Sequence, residues 1–563
     1  MSRSELYDRN LLAVTTTHGP TAAERLSAVE ADPRVGTEPS RYGVEVPYLE
    51  ADGKRAYFHS RFDPEREAAR QAAGHAQPGF FVFWGLGAGY VVEALLDAGL
   101  VTRGLVVEYG APALKAVLER MDLTHVLADR RLLLLVDPTD EELGTAIASL
   151  YVPVVTGDLV TVPLRGRVDT APDEYLRAAD VVRRVLEGIS DDYSVQAFFG
   201  KRWFTNIVRN VRAAAAPTPP VGPVSSAIVT AAGPSLEDAL PAIRDRPRSS
   251  FVIATDTSLQ VLLAAGIEPD AVITIDCQHI SYYHFMRGMP GGVPLFMDLA
   301  SPPTVARLAR RPYFFSSGHP LSRYVANRFR AFPSLDTSGG NVTHAAVSLA
   351  DYLGARDIVL YGADFSYPFG KSYARGTYVY PYFDVRQSRL RPQESLFSEF
   401  LYRNQYLERQ ADPDGSYRYV TKPLVAYRDR LERLAASCEA RVDRRRGSGV
   451  HATMVAGDRP PAGRFGRVFS AGRSFMPASD FLRGYLDDIA ALPEPEPGRS
   501  APYLDGLTPR ERDVWTTMLP SAAALLKEAG ASPTLAQDVL AATRRWCMGV
   551  LRTELEADES YPG

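Results

Sequence analysis

The chain has 563 residues with ordinary hydrophobic (45%) and charged (23%) content, which predicts a globular protein of two or three domains. A net charge of −4 gives no general attraction for nucleic acid or anionic lipid, so we expect no nucleic-acid partner and no membrane insertion. The three cysteines match neither a disulfide framework nor a metal-ligand spacing, and no secretion signal follows Met1, so we expect a cytoplasmic protein.

The first part of the chain predicts two regions. Residues 1–75 alternate short apolar pieces with turns, and we expect a small N-terminal β-rich layer with a hairpin at Ala51-Asp52-Gly53-Lys54. Residues 76–215 predict a Rossmann-like domain. The buried strand pattern Phe80–Trp84 runs into a glycine loop, then a helical pattern, then a second strand that ends at Glu108.

The glycine loop has the sequence Gly85-Leu86-Gly87-Ala88-Gly89. Its spacing is closer to a methyltransferase-type loop than to the dinucleotide fingerprint. Two interpretations stay open. In the first, Glu108 holds the ribose of a bound cofactor; in the second, the glycines only let a helix and a strand pack closely.

The remaining chain predicts a central domain and a C-terminal region. An Ala/Pro-rich linker, Ala213–Val224, precedes a central α/β domain at residues 216–385. Residues 386–563 predict a mainly helical region, in which Arg444-Arg445-Arg446-Gly447 is an expected exposed charge run. Pro381–Tyr419 is rich in Arg, Tyr and Phe, and is either a solvated surface or a lid or acceptor-binding insertion.

Four apolar, strand-like runs of the central domain end in small, acidic or hydroxyl residues. The residues at these ends are Gly233-Pro234-Ser235, Asp256-Thr257, Asp276-Cys277-Gln278 and Gly362-Ala363-Asp364. Ligands bind at the carboxyl ends of strands in open α/β sheets, so the pattern predicts a pocket at this edge.

Several of these residues suit a nucleotide. The Gly233–Ser235 turn can offer backbone N–H groups to a phosphate, and we expect Ser235 to cap the helix that begins near Leu236. Asp256 and Asp276 can accept hydrogen bonds from a ribose or a base, or ligate a metal. Ser338-Gly339-Gly340-Asn341 precedes a periodic helix and forms a second phosphate-compatible turn.

A Gly- and Tyr-rich loop follows Asp364 and contains Tyr367, Lys371, Tyr373 and Arg375. Phenol, ammonium and guanidinium groups together suit a phosphate leaving group.

Two other patterns in this domain carry no function. Tyr367 and Lys371 have the Tyr-x-x-x-Lys spacing of short-chain dehydrogenases, but that pair requires a helix, which Pro368 and Gly370 break. His279 and His284 have no third ligand at a sensible spacing, so we expect no metal site.

At these residues the chain resembles the motility-associated-factor family. The segments that carry the resemblance are Ile228–Leu236, Ala254–Ser258, Gly266–Asp270, Ile275–Gln278, Gly362–Phe365, Gly200–Trp203, Asn206 and Asn210. The glycine-loop domain also resembles that family. The resemblance implies a glycosyltransferase that moves a nonulosonic acid, of the pseudaminic or legionaminic type, from a CMP-activated donor to serine or threonine of flagellin. It also implies a central MptE-like domain similar to bacterial sialyltransferases.

The resemblance also implies roles for single residues. Tyr367, Tyr373 and Lys371 are the expected catalytic residues, with the two phenols stabilising the departing phosphate. The expected nucleotide-sugar-binding residues are Gly233, Pro234, Ser235, Asp256, Thr257, Asp276, Gln278, Ser338, Gly339, Asn341 and Asp364. The CMP-sugar is a substrate, and no further cofactor is expected.

Two alternatives remain. The same domain type occurs in an archaeal pterin diphosphokinase, whose pattern has a second aspartate and a glycine where this chain has Cys277-Gln278, which disfavours metal-dependent diphosphate transfer. The other alternative is a non-catalytic, flagellin-binding accessory protein. The sialyltransferase-like pattern also has a histidine base after the tyrosine loop, whereas this chain's only histidine beyond His344 is His451.

Overall fold

The computed structural model describes residues 2–51, 53–404, 406–411, 415–445, 449, 467–496, 500–529 and 538–559. The chain forms two compact units. The first comprises Met1–Phe198, Pro493–Thr508 and Ala522–Ala542, and the second comprises Phe199–Leu492, Pro509–Ser521 and Thr543–Gly563. Within the described residues, no helix combines the length and apolar composition that a bilayer crossing needs.

The first unit begins with two helices, α1 (Arg3–His18) and α2 (Pro20–Ser27), which the sequence analysis did not predict. A capping box between Ser2 and Glu5 starts α1, and Pro20 is the first residue of α2. These signals were overlooked because the apolar residues here are few.

A three-stranded antiparallel sheet follows the two helices. Its strands are β1 (Val35–Pro39), β2 (Glu45–Ala51) and β3 (Lys54–Tyr57). The hairpin expected at Ala51–Lys54 is confirmed, because Ala51 pairs with Lys54 in the β2–β3 ladder.

A four-stranded parallel sheet forms the centre of the first unit. Its strands are β4 (Gly79–Trp84), β5 (Val101–Glu108), β6 (Leu132–Val136) and β7 (Leu159–Pro163), in the order β6-β5-β4-β7. Its helices are α3 (Pro64–Ala72), α4 (Tyr90–Asp97), α5 (Ala111–Leu118), α6 (Thr124–Leu127), α7 (Asp140–Leu150), α8 (Pro153–Thr156), α9 (Arg165–Val168) and the first part of α10 (Pro172–Ala213).

All six residues of β4 are buried, because both faces of the sheet are covered. Phe81 and Phe83 pack into one apolar core, while Phe80, Val82 and Trp84 pack into another. The expected parallel, Rossmann-like sheet is therefore confirmed.

A seven-stranded parallel sheet forms the second unit, in the order β12-β11-β10-β9-β8-β13-β17. The strands of this unit are β8 (Ser226–Thr230), β9 (Ser250–Thr255), β10 (Ala271–Thr274), β11 (Leu295–Asp298), β12 (Pro312–Phe315), β13 (Asp357–Tyr361), β14 (Tyr367–Pro368), β15 (Glu408–Ala411), β16 (Tyr417–Val420) and β17 (Arg441–Arg444). Strands β14, β16 and β15 form a small antiparallel sheet of their own.

Helices alternate with these strands. They are α11 (Leu236–Arg244), α12 (Asp256–Ala264), a 3₁₀ helix (His279–Phe285), α13 (Pro303–Ala306), α14 (Pro320–Arg328), α15 (Val342–Tyr352), α16 (Val379–Asp384), α17 (Gln393–Tyr402) and α18 (Lys422–Ser437). Helix α15 is apolar on much of its surface and packs into the core formed with β8, β9 and β13. The four strands expected from the apolar runs are confirmed as β8, β9, β10 and β13.

The final part of the chain is helical, as expected. Its helices are α19 (Ala478–Ala490), α20 (Ser500–Gly506), α21 (Pro509–Ala529) and α22 (Val539–Glu559). However, the region after residue 385 also supplies β17, which pairs in parallel with β13 and extends the central sheet. Its alternating sequence, Arg441-Val442-Asp443-Arg444, is typical of a polar edge strand and did not stand out from the sequence.

Candidate functional site

The order of the seven-stranded sheet reverses between β8 and β13. Strands β9 to β12 continue on one side of β8, while β13 and β17 lie on the other side. In doubly wound sheets, ligands bind in the crevice at such a switch point, outside the carboxyl ends of the strands. The turns after β8 and β13, with Ser235 and Asp364, therefore lie at the position where the fold favours a ligand.

Asp364 joins these two turns. One carboxylate oxygen accepts a hydrogen bond from the Ser235 backbone N–H (2.8 Å) and the other accepts one from the Ser235 hydroxyl (2.5 Å). Ser235 does not cap α11 with its side chain, which corrects the expectation from the sequence. Its backbone is already helical, and its hydroxyl donates to the nearby carboxylate instead. Burial raises the pKa of Asp364, against the hydrogen bonds from Ser235.

Gly233 and Pro234 lie in the same turn, and their backbone is engaged within the protein. The Gly233 N–H donates to the Gly362 carbonyl (2.8 Å), and Pro234 has no N–H. A Cβ on Gly233 would lie 2.5 Å from both the Gly362 carbonyl oxygen and an Asp364 carboxylate oxygen. Glycine is therefore required here by the close approach of the two turns.

Arg444 is a residue of this site that the sequence analysis missed. Its side chain is 5% exposed and lies 3.9 Å from the Asp364 carboxylate. The expected exposed charge run is thus wrong at Arg444, because β17 pairs with β13 and carries the residue into the sheet. Burial lowers the pKa of Arg444, and the Asp364 charge opposes that effect. Arg446 and Gly447 lie outside the described residues.

A second group of acidic residues follows β9 and β10. Asp256 accepts a hydrogen bond from Thr274 Oγ1 (2.7 Å) on one oxygen and from the backbone and side chain of Thr257 on the other. Asp276 accepts from the Gln278 backbone N–H (2.8 Å). Burial raises the pKa of Asp276 and the nearby Asp256 charge adds to this, while the Gln278 N–H opposes it. The structure therefore brings two predicted carboxylates together in a dry environment.

Tyrosines of the loop after β13 lie beside these carboxylates. Burial raises the pKa of Tyr373 and of Tyr378, and the charge of Asp256 acts on both phenols in the same direction. Tyr367 lies near these two tyrosines, because its charge contributes to the raised pKa of Tyr373. The loop is fixed to the end of β8 by a hydrogen bond from the Ala374 N–H to the Ala232 carbonyl (2.9 Å). We refer to Asp256, Asp276, Tyr367, Tyr373 and Tyr378 as the carboxylate–tyrosine cluster.

Two cations border this cluster, and they differ in their partners. Lys371 donates to the Glu237 carboxylate (2.6 Å), which neutralises its charge. Arg403, at the end of α17, lies over the ring of Phe400 at 4.2 Å, and the Phe400 ring lies 6.1 Å from that of Tyr373. The Arg403 charge opposes the effect of burial on the pKa of Tyr367, Tyr378 and Tyr373. Arg403 was not predicted as a site residue, because it is one of several arginines in the segment Pro381–Tyr419 and nothing in the sequence distinguishes it from the others.

The Ser338–Asn341 turn has its own partners. The Ser338 N–H donates to Asp336 (2.8 Å), and Asn341 caps α15 by accepting from the His344 N–H (3.0 Å). Gly339 lies against the His344 ring, and His344 Nε2 is 3.3 Å from Asp336. The turn begins α15 as expected, and the Asn341 side chain acts as its cap.

Two asparagines of α10 hold the strand ends at this edge. Asn206 Nδ2 donates to the carbonyls of Cys277 (3.0 Å) and Ala300 (2.8 Å). Asn210 Nδ2 donates to the carbonyls of Leu299 and Ser301. The segment that resembled the motility-associated-factor family thus fixes the loop that carries Asp276.

The glycine loop of the first unit is filled by the chain itself. Glu108 accepts a hydrogen bond from the Leu86 N–H (2.6 Å) and forms a buried ion pair with Arg167 (2.5 Å). The Ala88 N–H donates to His59 Nε2 (2.8 Å). A Cβ on Gly85 would meet Arg167, and one on Gly87 would meet His59, both within 2.6 Å. This geometry favours the scaffold interpretation, because Glu108 already has its partners.

Comparisons with known proteins agree with this architecture. Residues 201–370 match a family model described as 6-hydroxymethylpterin diphosphokinase MptE-like. An uncharacterized protein of Treponema pallidum is 32% identical over 166 residues, covering 29% of this chain and 79% of that protein. Another uncharacterized protein from the same organism is 35% identical over 155 residues, which cover 27% of this chain and 54% of that protein. A Maf glycosyltransferase structure from Magnetospirillum magneticum AMB-1 aligns with a TM-score of 0.58 at 16% identity, covering 98% of this chain and 95% of that one.

Proposed function

This chain belongs to the Maf-type family with an MptE-like domain, and from that premise we propose that it is a glycosyltransferase. The proposed reaction moves a nonulosonic acid, of the pseudaminic or legionaminic type, from a CMP-activated donor to a serine or threonine of flagellin. The likeness to a Maf glycosyltransferase, which extends over 98% of the chain, supports the reaction class. The resemblance seen in the sequence motivates the donor and the acceptor.

The observation that carries the proposal is the carboxylate–tyrosine cluster at the end of β9 and β10. Asp256 and Asp276 are buried or half-buried carboxylates at the edge where this fold binds nucleotides. They suit the hydroxyl and amine donors of a cytidine nucleoside. The phenols of Tyr367 and Tyr373 and the guanidinium of Arg403 suit its phosphate. In this proposal Asp364 and Ser235 hold the two turns at the switch point in place.

The chemical step needs an acceptor oxygen and a leaving phosphate. The acceptor hydroxyl attacks the anomeric carbon of the donor, and its O–H proton passes to a base. A new C–O bond to the protein forms as the C–O bond to the phosphate breaks, and CMP leaves with that electron pair. Negative charge develops on the phosphate as CMP leaves. Phenol groups that donate hydrogen bonds to the phosphate at this stage lower the activation free energy of the step.

We propose that this step requires no metal ion. The reason is the Cys277-Gln278 sequence after Asp276, where the diphosphokinase pattern has a second aspartate. The description of the matching family model favours one second candidate, a diphosphokinase that uses ATP and Mg²⁺. That reaction needs carboxylates that share a metal, and this chain has Cys277-Gln278 where the diphosphokinase pattern places the second one.

The direct test is sugar transfer to flagellin by the purified full-length chain. CMP-pseudaminic acid and CMP-legionaminic acid serve as donors, EDTA is present, and intact-protein mass spectrometry follows the acceptor. We expect a mass increase of one or more nonulosonic acid residues and release of an equal amount of CMP. Binding of flagellin with no CMP release would instead favour an accessory protein. ATP consumption with a hydroxymethylpterin and Mg²⁺ would favour the diphosphokinase.

A further inference from the structure

The 3₁₀ helix that follows β10 carries two histidines with different surroundings. His279 is exposed, and its ring is stacked on that of Tyr282 at a centroid distance of 6.1 Å. His284 is 8% exposed and lies five residues further on. Their spacing suggested no metal site, and neither residue was assigned any other role from the sequence.

His284 lies in the carboxylate–tyrosine cluster. Its ring meets the Tyr378 ring edge-on, with 4.5 Å between centroids. The neighbouring Tyr283 ring lies 6.5 Å from that of Tyr378 and 5.7 Å from that of Tyr382. The charge of His284 also acts on Asp276, where it lowers a pKa that burial raises. The imidazole therefore lies close enough to Asp276 for the two charges to interact.

The Nδ1 atom of His284 is buried and has no hydrogen-bond partner among the described residues. A buried polar atom without a partner costs free energy, and a catalytic role is one reason why a native protein retains such an atom. Here the atom belongs to an imidazole that contacts Tyr378 of the cluster, and imidazole is the side chain that most often transfers protons in enzymes.

We propose that His284 is the general base of the transfer reaction. This inference rests on the proposed function. The imidazole takes the proton of the acceptor hydroxyl while that oxygen bonds to the anomeric carbon, and the CMP phosphate leaves with the electrons of the broken C–O bond. The Asp276 carboxylate stabilises the imidazolium that results.

As a base, His284 takes the role of the histidine that the sialyltransferase-like pattern has at another position. That pattern places its histidine after the tyrosine loop, where this chain has only His451, which lies outside the described residues. His284 contacts Tyr378 of the tyrosine loop from the 3₁₀ helix that follows Asp276, which precedes that loop in the sequence.

The test compares His284→Gln with His279→Gln in the full-length chain. Glutamine keeps the size and hydrogen-bonding capacity of histidine but has no basic nitrogen. We expect His284→Gln to bind CMP with wild-type affinity in calorimetry and to transfer sugar roughly 10²- to 10⁴-fold more slowly. His279→Gln should transfer at the wild-type rate. Imidazole added to His284→Gly should restore part of the lost activity.

Three outcomes would overturn the inference while leaving the glycosyltransferase proposal intact. These are wild-type transfer by His284→Gln, equal loss in both histidine variants, and loss of CMP binding together with activity in His284→Gln at unchanged melting temperature. Failure of the wild-type chain itself to bind CMP or to transfer sugar would instead reject the proposed function, on which this role depends.

Discussion

Lys371 and Arg403 differ in whether a carboxylate of the protein already pairs with them. This difference determines which of the two cations is available to bind a phosphate. Lys371 is held by Glu237 at 2.6 Å, whereas the described residues place no carboxylate within ion-pair distance of Arg403. A phosphate must displace Glu237 to reach Lys371, but meets Arg403 directly. Charge-assisted hydrogen bonds to such a cation contribute about 1.5 to 3 kcal/mol.

We therefore predict that Arg403→Ala weakens CMP binding by at least about tenfold, in accordance with that energy. Lys371→Ala should change CMP affinity much less, and Arg403→Lys should keep part of it. Calorimetric titration of the three variants provides the comparison. A larger loss in Lys371→Ala than in Arg403→Ala would return the phosphate-binding role to the lysine.

Tyr373 should contribute to turnover more than to donor binding. Its phenol can donate to the phosphate as negative charge develops, and loss of such a donor costs about 10²- to 10³-fold in kcat. Tyr373→Phe keeps the ring contact with Phe400 and removes only the hydroxyl. Sugar transfer and CMP affinity are measured for both forms. Transfer at the wild-type rate would make Tyr373 a structural residue.

Site residues were predictable from the sequence where they directly follow an apolar strand. They were unpredictable where a distant part of the chain brings them to the site. Asp256, Asp276 and Asp364 stood out because each follows an apolar run. Arg444 did not, because its burial depends on pairing with a strand more than eighty residues earlier. Likewise, Arg167 fills the glycine loop from a helix with no local signal of that contact.

Among the elements, the turn after β8 is most sensitive to packing. Gly233→Ala should lower the free energy of unfolding by about 1 to 3 kcal/mol, because the added methyl group meets the Gly362 carbonyl and displaces Asp364. Gly188→Ala in α10 is the matched control, since nothing lies within 4 Å of its added methyl group. That exchange should be neutral or stabilising. Equal effects of both exchanges in urea unfolding would contradict this account of the turn.

Strand β11 ends in a carboxyl group that makes stability depend on pH. Burial raises the pKa of Asp298 from its ordinary value near 3.8 to about 6, although the Ala300 N–H and Ser317 donate to it. The folded-state pKa is the higher one, so this group favours folding below pH 3.8, and its contribution is lost as the pH rises through about 6.

Asp298→Asn should therefore gain stability relative to the wild type between pH 4 and pH 7, by about 3 kcal/mol for a shift of this size. Asparagine can still accept from the Ala300 N–H and carries no charge at any pH. Urea unfolding of both forms at the two pH values measures the difference. A stability difference that stays constant between the two pH values would exclude the buried carboxyl as its cause.

Elements were predictable where a continuous apolar run marks them. Strands β8, β9, β10 and β13 follow from continuous apolar runs. Strands β11 and β12 lie among prolines and loops that interrupt the apolar pattern, so they did not stand out from the sequence. Strand β17 alternates charged and apolar residues, and its place in the sheet depends on long-range pairing.

At the scale of the whole molecule, the chain holds two parallel sheets with glycine-containing turns, and the side chains that surround these turns differ between the two sheets. In the first unit, Arg167 and His59 take the positions where a cofactor would bind, and Glu108 is fully engaged. In the second unit, the carboxylates of the carboxylate–tyrosine cluster suit a nucleoside, while its phenols and the neighbouring Arg403 suit a phosphate. The sequence left both interpretations of the glycine loop open, because Arg167 and His59, which lie against it, are distant along the chain.

Calorimetric titration of the full-length chain with CMP in the presence of EDTA, followed by titration with ATP with and without Mg²⁺, tests the proposed nucleotide site. We predict one CMP bound per chain, an affinity unchanged by Mg²⁺, and weaker binding after Asp276→Asn. Two CMP molecules per chain would contradict the assignment of a single nucleotide site. Binding of ATP only with Mg²⁺, and no binding of CMP, would contradict the glycosyltransferase assignment.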